Sequence, residues 1–153
     1  MQHPAEGSES AAIPDRIVLD TNVVLDWLLF RDPACAGLAS HIESRRLLWH
    51  VTLPMRDELA HVLPRPQLKP WRSEHVLTWF DLWATVSPGE SSALAPRCRD
   101  SDDQKFIDLA CSLRARWLLT RDRALLDLAR PARSHGVEVL TPAAWALRHA
   151  AAP

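Results

Sequence analysis

Ile17-Val18-Leu19-Asp20-Thr21-Asn22 is the stretch on which the reading of this chain turns. Three apolar residues in a row, two of them β-branched and none alternating with polar ones, predict a strand covered on both faces, as in a parallel sheet. The run stops on a carboxylate, and an acid that ends a buried strand must find partners or water. Thr21 and Asn22 are cap-forming residues, so a helix is expected to follow through Val24, Leu25, Leu28 and Leu29.

The same strand-then-helix grammar recurs outward from that stretch. Leu47-Leu48-Trp49-His50-Val51 reads as a second strand, followed by a helix near Pro54 that puts Met55, Leu59 and Val62 on one face. Pro64-Arg65-Pro66 ends that helix, and Pro70 is expected to open another carrying Val76, Phe80 and Trp83. Ala84-Thr85-Val86 is a third strand candidate. After a loop from Ser87 to Asp100, Ser101-Asp102-Asp103 introduces the clearest amphipathic stripe in the chain: Phe106, Leu109, Ala110, Leu113 and Trp117. Trp117-Leu118-Leu119-Thr120 and Val137-Glu138-Val139-Leu140 are the fourth and fifth strands. A short helix is expected near Asp122, and Thr141-Pro142 starts the last one. Strands alternating with helices imply an α/β fold. The expected form is a three-layer α/β/α sandwich on a mostly parallel sheet of about five strands, with right-handed crossovers placing helices on both faces.

A chain of 153 residues suits one domain rather than two. It can bury roughly 68–70% of its unfolded surface without a disulfide or metal staple. Residues 1–14 are polar enough to be expected as a disordered tail, leaving 15–150 as the single domain. Net charge is -1, so the chain is no polycation, yet 16 of its 18 basic residues are arginine and only Lys69 and Lys105 are lysine. Cys35, Cys98 and Cys111 are odd in number and form no C-x-x-C pair, which argues for a reducing compartment. No apolar run reaches the roughly 18–20 residues that span a bilayer, and the first residues carry no signal pattern, so a cytoplasmic protein without membrane association is expected.

Acidic residues gather where such a fold makes sites. Asp20 follows the first strand and Asp122 follows the fourth, and sites in open α/β sheets form beyond the carboxyl ends of strands. Glu58 lies one turn into the helix after the second strand, and Asp102 and Asp103 stand at the start of the strong amphipathic helix. Each has a plain alternative: Asp102, Asp103 and Asp122 could serve as helix caps, and Glu58 could be a solvated helical residue. Converging, these carboxylates would repel one another, and a divalent cation is the usual relief. Oxygen donors without a histidine or cysteine pair favour Mg²⁺ or Mn²⁺ over Zn²⁺. The seven histidines show no ligand spacing.

These residues resemble the motifs of PIN domains. Ile17-Val18-Leu19-Asp20-Thr21-Asn22 looks like the opening motif, and Asp57-Glu58-Leu59 like the second acidic one. Asp102-Asp103-Gln104-Lys105-Phe106-Ile107-Asp108-Leu109-Ala110 resembles the third, and Leu118-Leu119-Thr120-Arg121-Asp122 the fourth. The closing Val139-Leu140-Thr141-Pro142 is similar to the branch containing toxins of prokaryotic toxin–antitoxin modules, the VapC-type ribonucleases. The likeness spans about residues 16–145, with acids separated by 38, 45 and 19 positions. It implies a metal-dependent endoribonuclease in which Asp20, Glu58, Asp103 and Asp122 hold one or two Mg²⁺ or Mn²⁺ ions. Asp102 is the substitute for Asp103 and otherwise the cap, and Asp100 lies further out. Thr21, Asn22 and Thr120 match positions that orient the acids or the phosphate. RNA is the implied substrate and an antitoxin protein the implied partner.

Two rivals are set against this. A phospho-aspartate domain would need a lysine beside the acids. Lys69 sits among prolines and Lys105 in a helix start, while Asn22 stands where the phosphatase type needs its second aspartate. An inert PIN-like binding module is the other. Arginines crowd the second half of the chain, and Arg121 and Arg123 flank Asp122, which makes Arg121 a candidate phosphate contact by its bidentate fork. Arginine enrichment through genome composition is the even alternative. Of seven tryptophans, Trp49, Trp83 and Trp117 are expected in the core. Trp27, Trp71 and Trp79 are expected to be exposed, on a face that would suit a homodimer or an antitoxin segment.

Overall fold

A computed structural model describes residues 13–89 and 94–149. The expected disordered tail therefore lies outside the described residues, apart from Ile13 and Pro14. The element order is β1 (Asp15–Leu19), α1 (Thr21–Leu28), α2 (Ala36–Glu43), β2 (Leu47–Val51), α3 (Leu53–Val62), α4 (Val76–Trp83), β3 (Ala84–Val86), α5 (Gln104–Leu113), β4 (Trp117–Leu119), α6 (Arg123–Leu126), α7 (Ala129–Ala132), β5 (Glu138–Leu140) and α8 (Pro142–Arg148). Flanking helices sandwich one five-stranded sheet in the order β3-β2-β1-β4-β5. Every strand pair is parallel, so the sheet is wholly rather than mostly parallel.

Burial explains the strand sequences. Ile17, Val18 and Leu19 on β1, and Leu118 and Leu119 on β4, are between 0% and 2% exposed, because helices cover both faces of the central pair. At about 25 cal/mol per Å² of apolar surface, side chains of this size contribute roughly 1.5–3 kcal/mol each when buried. The α5 stripe packs against β1 and β4 through Phe106, Ile107, Leu109 and Ala110, all buried. Arg114, in the left-handed region at φ 51, then ends α5 and turns the chain into β4.

Several local expectations change. Asp20, not Thr21 or Asn22, caps α1: its backbone is extended and its Oδ1 accepts from the Val23 N–H at 2.9 Å, while Thr21 is already helical. Helix α2 has no counterpart in the pattern, since only Leu38 and Ile42 mark its buried face and Gly37, Ser40 and His41 dilute it. Helix α4 starts at Val76 rather than Pro70, because residues Trp71 to Glu74 offer no core-facing stripe. The short helix after Asp122 is two, α6 and α7. Trp27 is 2% exposed, edge-on to Trp49 at 5.1 Å and stacked on Trp83 at 5.8 Å. Trp83, expected in the core, is half-buried, as is Trp79, whereas Trp71 is exposed.

Candidate active site

From β1 the chain moves to β2 and β3 on one side of the sheet, while β4 and β5 extend the other. The junction of β1 and β4 is thus the switch point, where the connecting loops part and leave a crevice. Asp20 and Asp122 sit at its mouth. The Asp20 N–H donates to the Leu119 carbonyl at 3.1 Å, and the Thr120 N–H to the Leu140 carbonyl at 3.0 Å, continuing the ladders one residue past the strands.

Thr120, 0% exposed, links the two acids. Its hydroxyl donates to Asp20 Oδ2 and accepts from the Asp122 N–H at 2.9 Å. Asp122 Oδ1 caps α6, accepting from the Ala124 N–H at 2.8 Å. Asp122 therefore does act as a cap, with one oxygen, while its carboxyl group still reaches the cluster. Burial pushes the Asp20 carboxyl above the usual carboxylate range, against the downward pull of the Thr120 hydroxyl and the Val23 amide.

The third acidic segment rearranges the sequence assignment. Asp100, not Asp102, caps the 3₁₀ turn Ser101–Asp103, its Oδ1 accepting from the Asp102 N–H at 3.0 Å. Asp102 is exposed and makes no cap. Asp103 stands at the cap position of α5 without a side-chain cap bond, which leaves its carboxyl group to face Asp122. Ligand oxygens of Asp100, Asp103 and Asp122 all lie within 4.8 Å of one another. Asp100 was placed further out by sequence distance, and the tight turn folds it back. Asp103 Oδ2 is buried without a hydrogen-bond partner among the described residues. Burial, a shared hydrogen bond with Asp122 and the negative charges of Asp122, Asp100 and Asp20 push the Asp103 carboxyl up to about 7.

Glu58, on α3, faces the same cleft but is already engaged. Its Oε2 accepts from the Thr21 hydroxyl at 2.9 Å, and its Oε1 pairs with Lys105 Nζ at 2.5 Å. The cleft, of about 400 Å³, is lined by Asp20, Thr21, Asn22, Glu58, Asp102, Asp103 and Asp122 together with Arg65 and Lys105. Asp20, Thr21, Asn22, Glu58, Asp102, Asp103 and Asp122, all singled out in the sequence, thus share one cavity, while the buried Thr120 holds Asp20 without lining it and Asp100 lies outside the lining. The two cations were missed. Lys105 follows Asp103 by two positions at the start of α5, so the turn that presents the acid also presents the ammonium. Lys105 also removes one ground for dismissing a phospho-aspartate domain, since a lysine does reach the acids. The asparagine at position 22 still leaves the phosphatase type without its second aspartate.

Arg121 does not line the cleft. Its Nε and Nη2 donate to both carboxylate oxygens of Asp26, at 2.8 and 3.0 Å, and the Asp26 side chain is only 10% exposed. Asp26 was not visible as a partner from sequence, because it lies 95 positions away on α1.

The donor set suits a hard divalent cation. Three carboxylates converge with one oxygen lacking a partner among the described residues, a set of hard oxygen donors whose mutual repulsion a divalent cation relieves. Among the described residues no helix is long and apolar enough to cross a membrane. A family model described as PIN domain matches residues 16–124. Proteins of this kind are generally nucleases that use divalent metals and bind RNA. A comparison with curated proteins returned no match.

Proposed function

The chain belongs to the PIN domain family, and from that premise we propose that it is a Mg²⁺- or Mn²⁺-dependent endoribonuclease, the toxin of a VapC-type toxin–antitoxin pair, with residues 15–150 acting as one domain. The observation that carries the reading is the orphaned, charge-strained Asp103 carboxyl between Asp100 and Asp122 at the sheet's switch point.

Asp103 and Asp122 would hold the ion, with Asp100 in reach. Asp20 and Glu58, expected alongside them as ligands, complete the acidic wall. When bound, such an ion neutralises the scissile phosphate and eases deprotonation of an attacking water, giving a 5′-phosphate and a 3′-hydroxyl. The protein's part is preorganisation. Thr120 uses a single hydroxyl to hold the Asp20 carboxyl group and the Asp122 backbone N–H, and Thr21 donates to the Glu58 carboxylate. Arg65 and Lys105 offset the repulsion between an acidic cleft and a polyanionic substrate. The toxin assignment draws on the closing Val139–Pro142 segment, in which Thr141 caps α8 through the Ala144 N–H at 3.1 Å. An antitoxin protein and a cytoplasmic setting go with it.

The test is cleavage of a mixed RNA pool with Mn²⁺ or with a chelator. Asp20→Asn retains an oxygen for the α1 cap, so the fold should persist while cleavage drops at least ~100-fold. Wild-type activity in that variant would sink the site. Folded protein that neither binds Mn²⁺ nor cuts RNA would point to an inert binding module.

A further inference from the structure

Glu58 shares its cleft with Asp103 and Asp122, whose oxygens converge with those of Asp100, yet its electrostatic situation is different. The trio has converging oxygens, and one of them, Asp103 Oδ2, has no hydrogen-bond partner among the described residues. Glu58 is engaged on both oxygens: one holds the Thr21 hydroxyl and the other the Lys105 ammonium. The ammonium is itself pinned. It donates to the Asp102 carbonyl at 2.5 Å and lies 4.8 Å from the centre of the Phe106 ring. The Lys105 side chain is only 27% exposed, well short of a freely solvated lysine. A divalent ion on the Lys105-facing oxygen of Glu58 would have to displace this cation, and one on the other oxygen would meet its repulsion, while a magnesium-sized ion demands its oxygens at about 2.0–2.1 Å with little tolerance.

We propose that Lys105 is the built-in second cation of the cleft. The cleft then takes a single divalent ion, on the Asp100–Asp103–Asp122 side, and Glu58 serves as the seat of Lys105 rather than as a metal ligand. The inference rests on the metal-dependent reading of the same cleft and decides between one ion and two. It gives the tethered ammonium the charge-balancing part that a second metal plays in two-metal nucleases. A covalently attached cation needs no second ion to be recruited from solution, and its single charge suits one carboxylate. Lys105 acts here as a positioning residue, through Glu58 and the charge balance of the cleft.

The stoichiometry of Mn²⁺ on the full chain, by calorimetric titration and by electron paramagnetic resonance of free against bound ion, reads this directly. Wild type should bind one Mn²⁺ per chain. Lys105→Met keeps the stem over Phe106 but frees Glu58, and should bind two. Adding Glu58→Gln to that variant should return it to one, whereas Glu58→Gln alone should leave the single wild-type ion within about threefold of its original Kd. Two ions on wild type, or one on Lys105→Met with its circular dichroism intact, would overturn the proposal. If Lys105→Met does not fold, Glu58→Gln alone still decides, because loss of the single ion would make Glu58 a ligand. A wild-type chain that binds no Mn²⁺ removes the metal reading and this inference together, an outcome distinct from either wrong stoichiometry.

Discussion

Asp103→Asn should stabilise the metal-free protein and destroy its ion binding at once. The Asp103 carboxyl ordinarily ionises near 3.8 and is pushed up to about 7, first by burial and then by Asp122, Asp100 and Asp20. A raised value in the folded state means that the stabilising contribution is complete below about pH 4 and is lost as pH rises through about 7. Each pH unit of that interval corresponds to about 1.36 kcal/mol, so three units set a ceiling of ~4 kcal/mol. Asp103 is only partly buried, and screening by solvent brings the expected gain down to ~1–2 kcal/mol at pH 8. For a chain of this length that is a rise in Tm of roughly 3–6 °C. Asparagine carries no charge to repel, so the variant should out-melt wild type at pH 8 in EDTA. The gap should narrow below pH 7 and close near pH 4. Adding Mn²⁺ should reverse the order, since wild type alone gains the binding term, about 2.7 kcal/mol at one hundred times Kd. Calorimetric melts across that pH series check all of this. A variant that melts below wild type at pH 8, or a gap that does not change with pH, would refute the account of strain at Asp103.

Two further outcomes follow from side chains outside the trio. Arg121→Ala should cost ~1–3 kcal/mol in denaturant unfolding by leaving the nearly buried Asp26 carboxylate without its half-exposed partner, and pairing it with Asp26→Asn should recover most of that loss. The salt dependence of RNA binding should be unchanged in the stable double variant, and a flattened slope would return Arg121 to the phosphate contacts. Burial pushes the Cys35 thiol up to about 12 and Cys111 up to about 11, and all three cysteines are buried. Native protein should therefore react with iodoacetamide at pH 8 at least ~100-fold more slowly than unfolded protein, and prompt labelling of Cys35 would contradict its burial.

How far the site was legible depends on the range of the forces that build it. Asp20 and Asp122 could be placed at the sheet edge because an uninterrupted apolar run determines where a buried strand stops, and the acid comes next in the chain. Asp103 followed from its position before the α5 stripe. The roles within that neighbourhood were not legible. Asp100 and Asp102 exchanged parts, because which of several adjacent aspartates caps a turn depends on backbone angles that the residue types do not distinguish. Trp27 was expected outside and is inside, because α1 is covered all round, and its own pattern does not reveal how many neighbours enclose it.

From the sequence alone came the α/β class, the order of the strands along the chain, the acidic character of the site and the family likeness. All of these rest on local periodicity, capping chemistry and residue type. Only the tertiary structure decided partners. Lys105 with Glu58, Arg121 with Asp26 and Thr120 with Asp20 join segments 47, 95 and 100 positions apart. Such pairs are selected by distance and local dielectric after the chain has folded, and no spacing rule along the sequence encodes either quantity. For that reason a chain with two lysines could read as lacking a cation at its acidic site, while the folded protein seats one of them within 2.5 Å of a carboxylate.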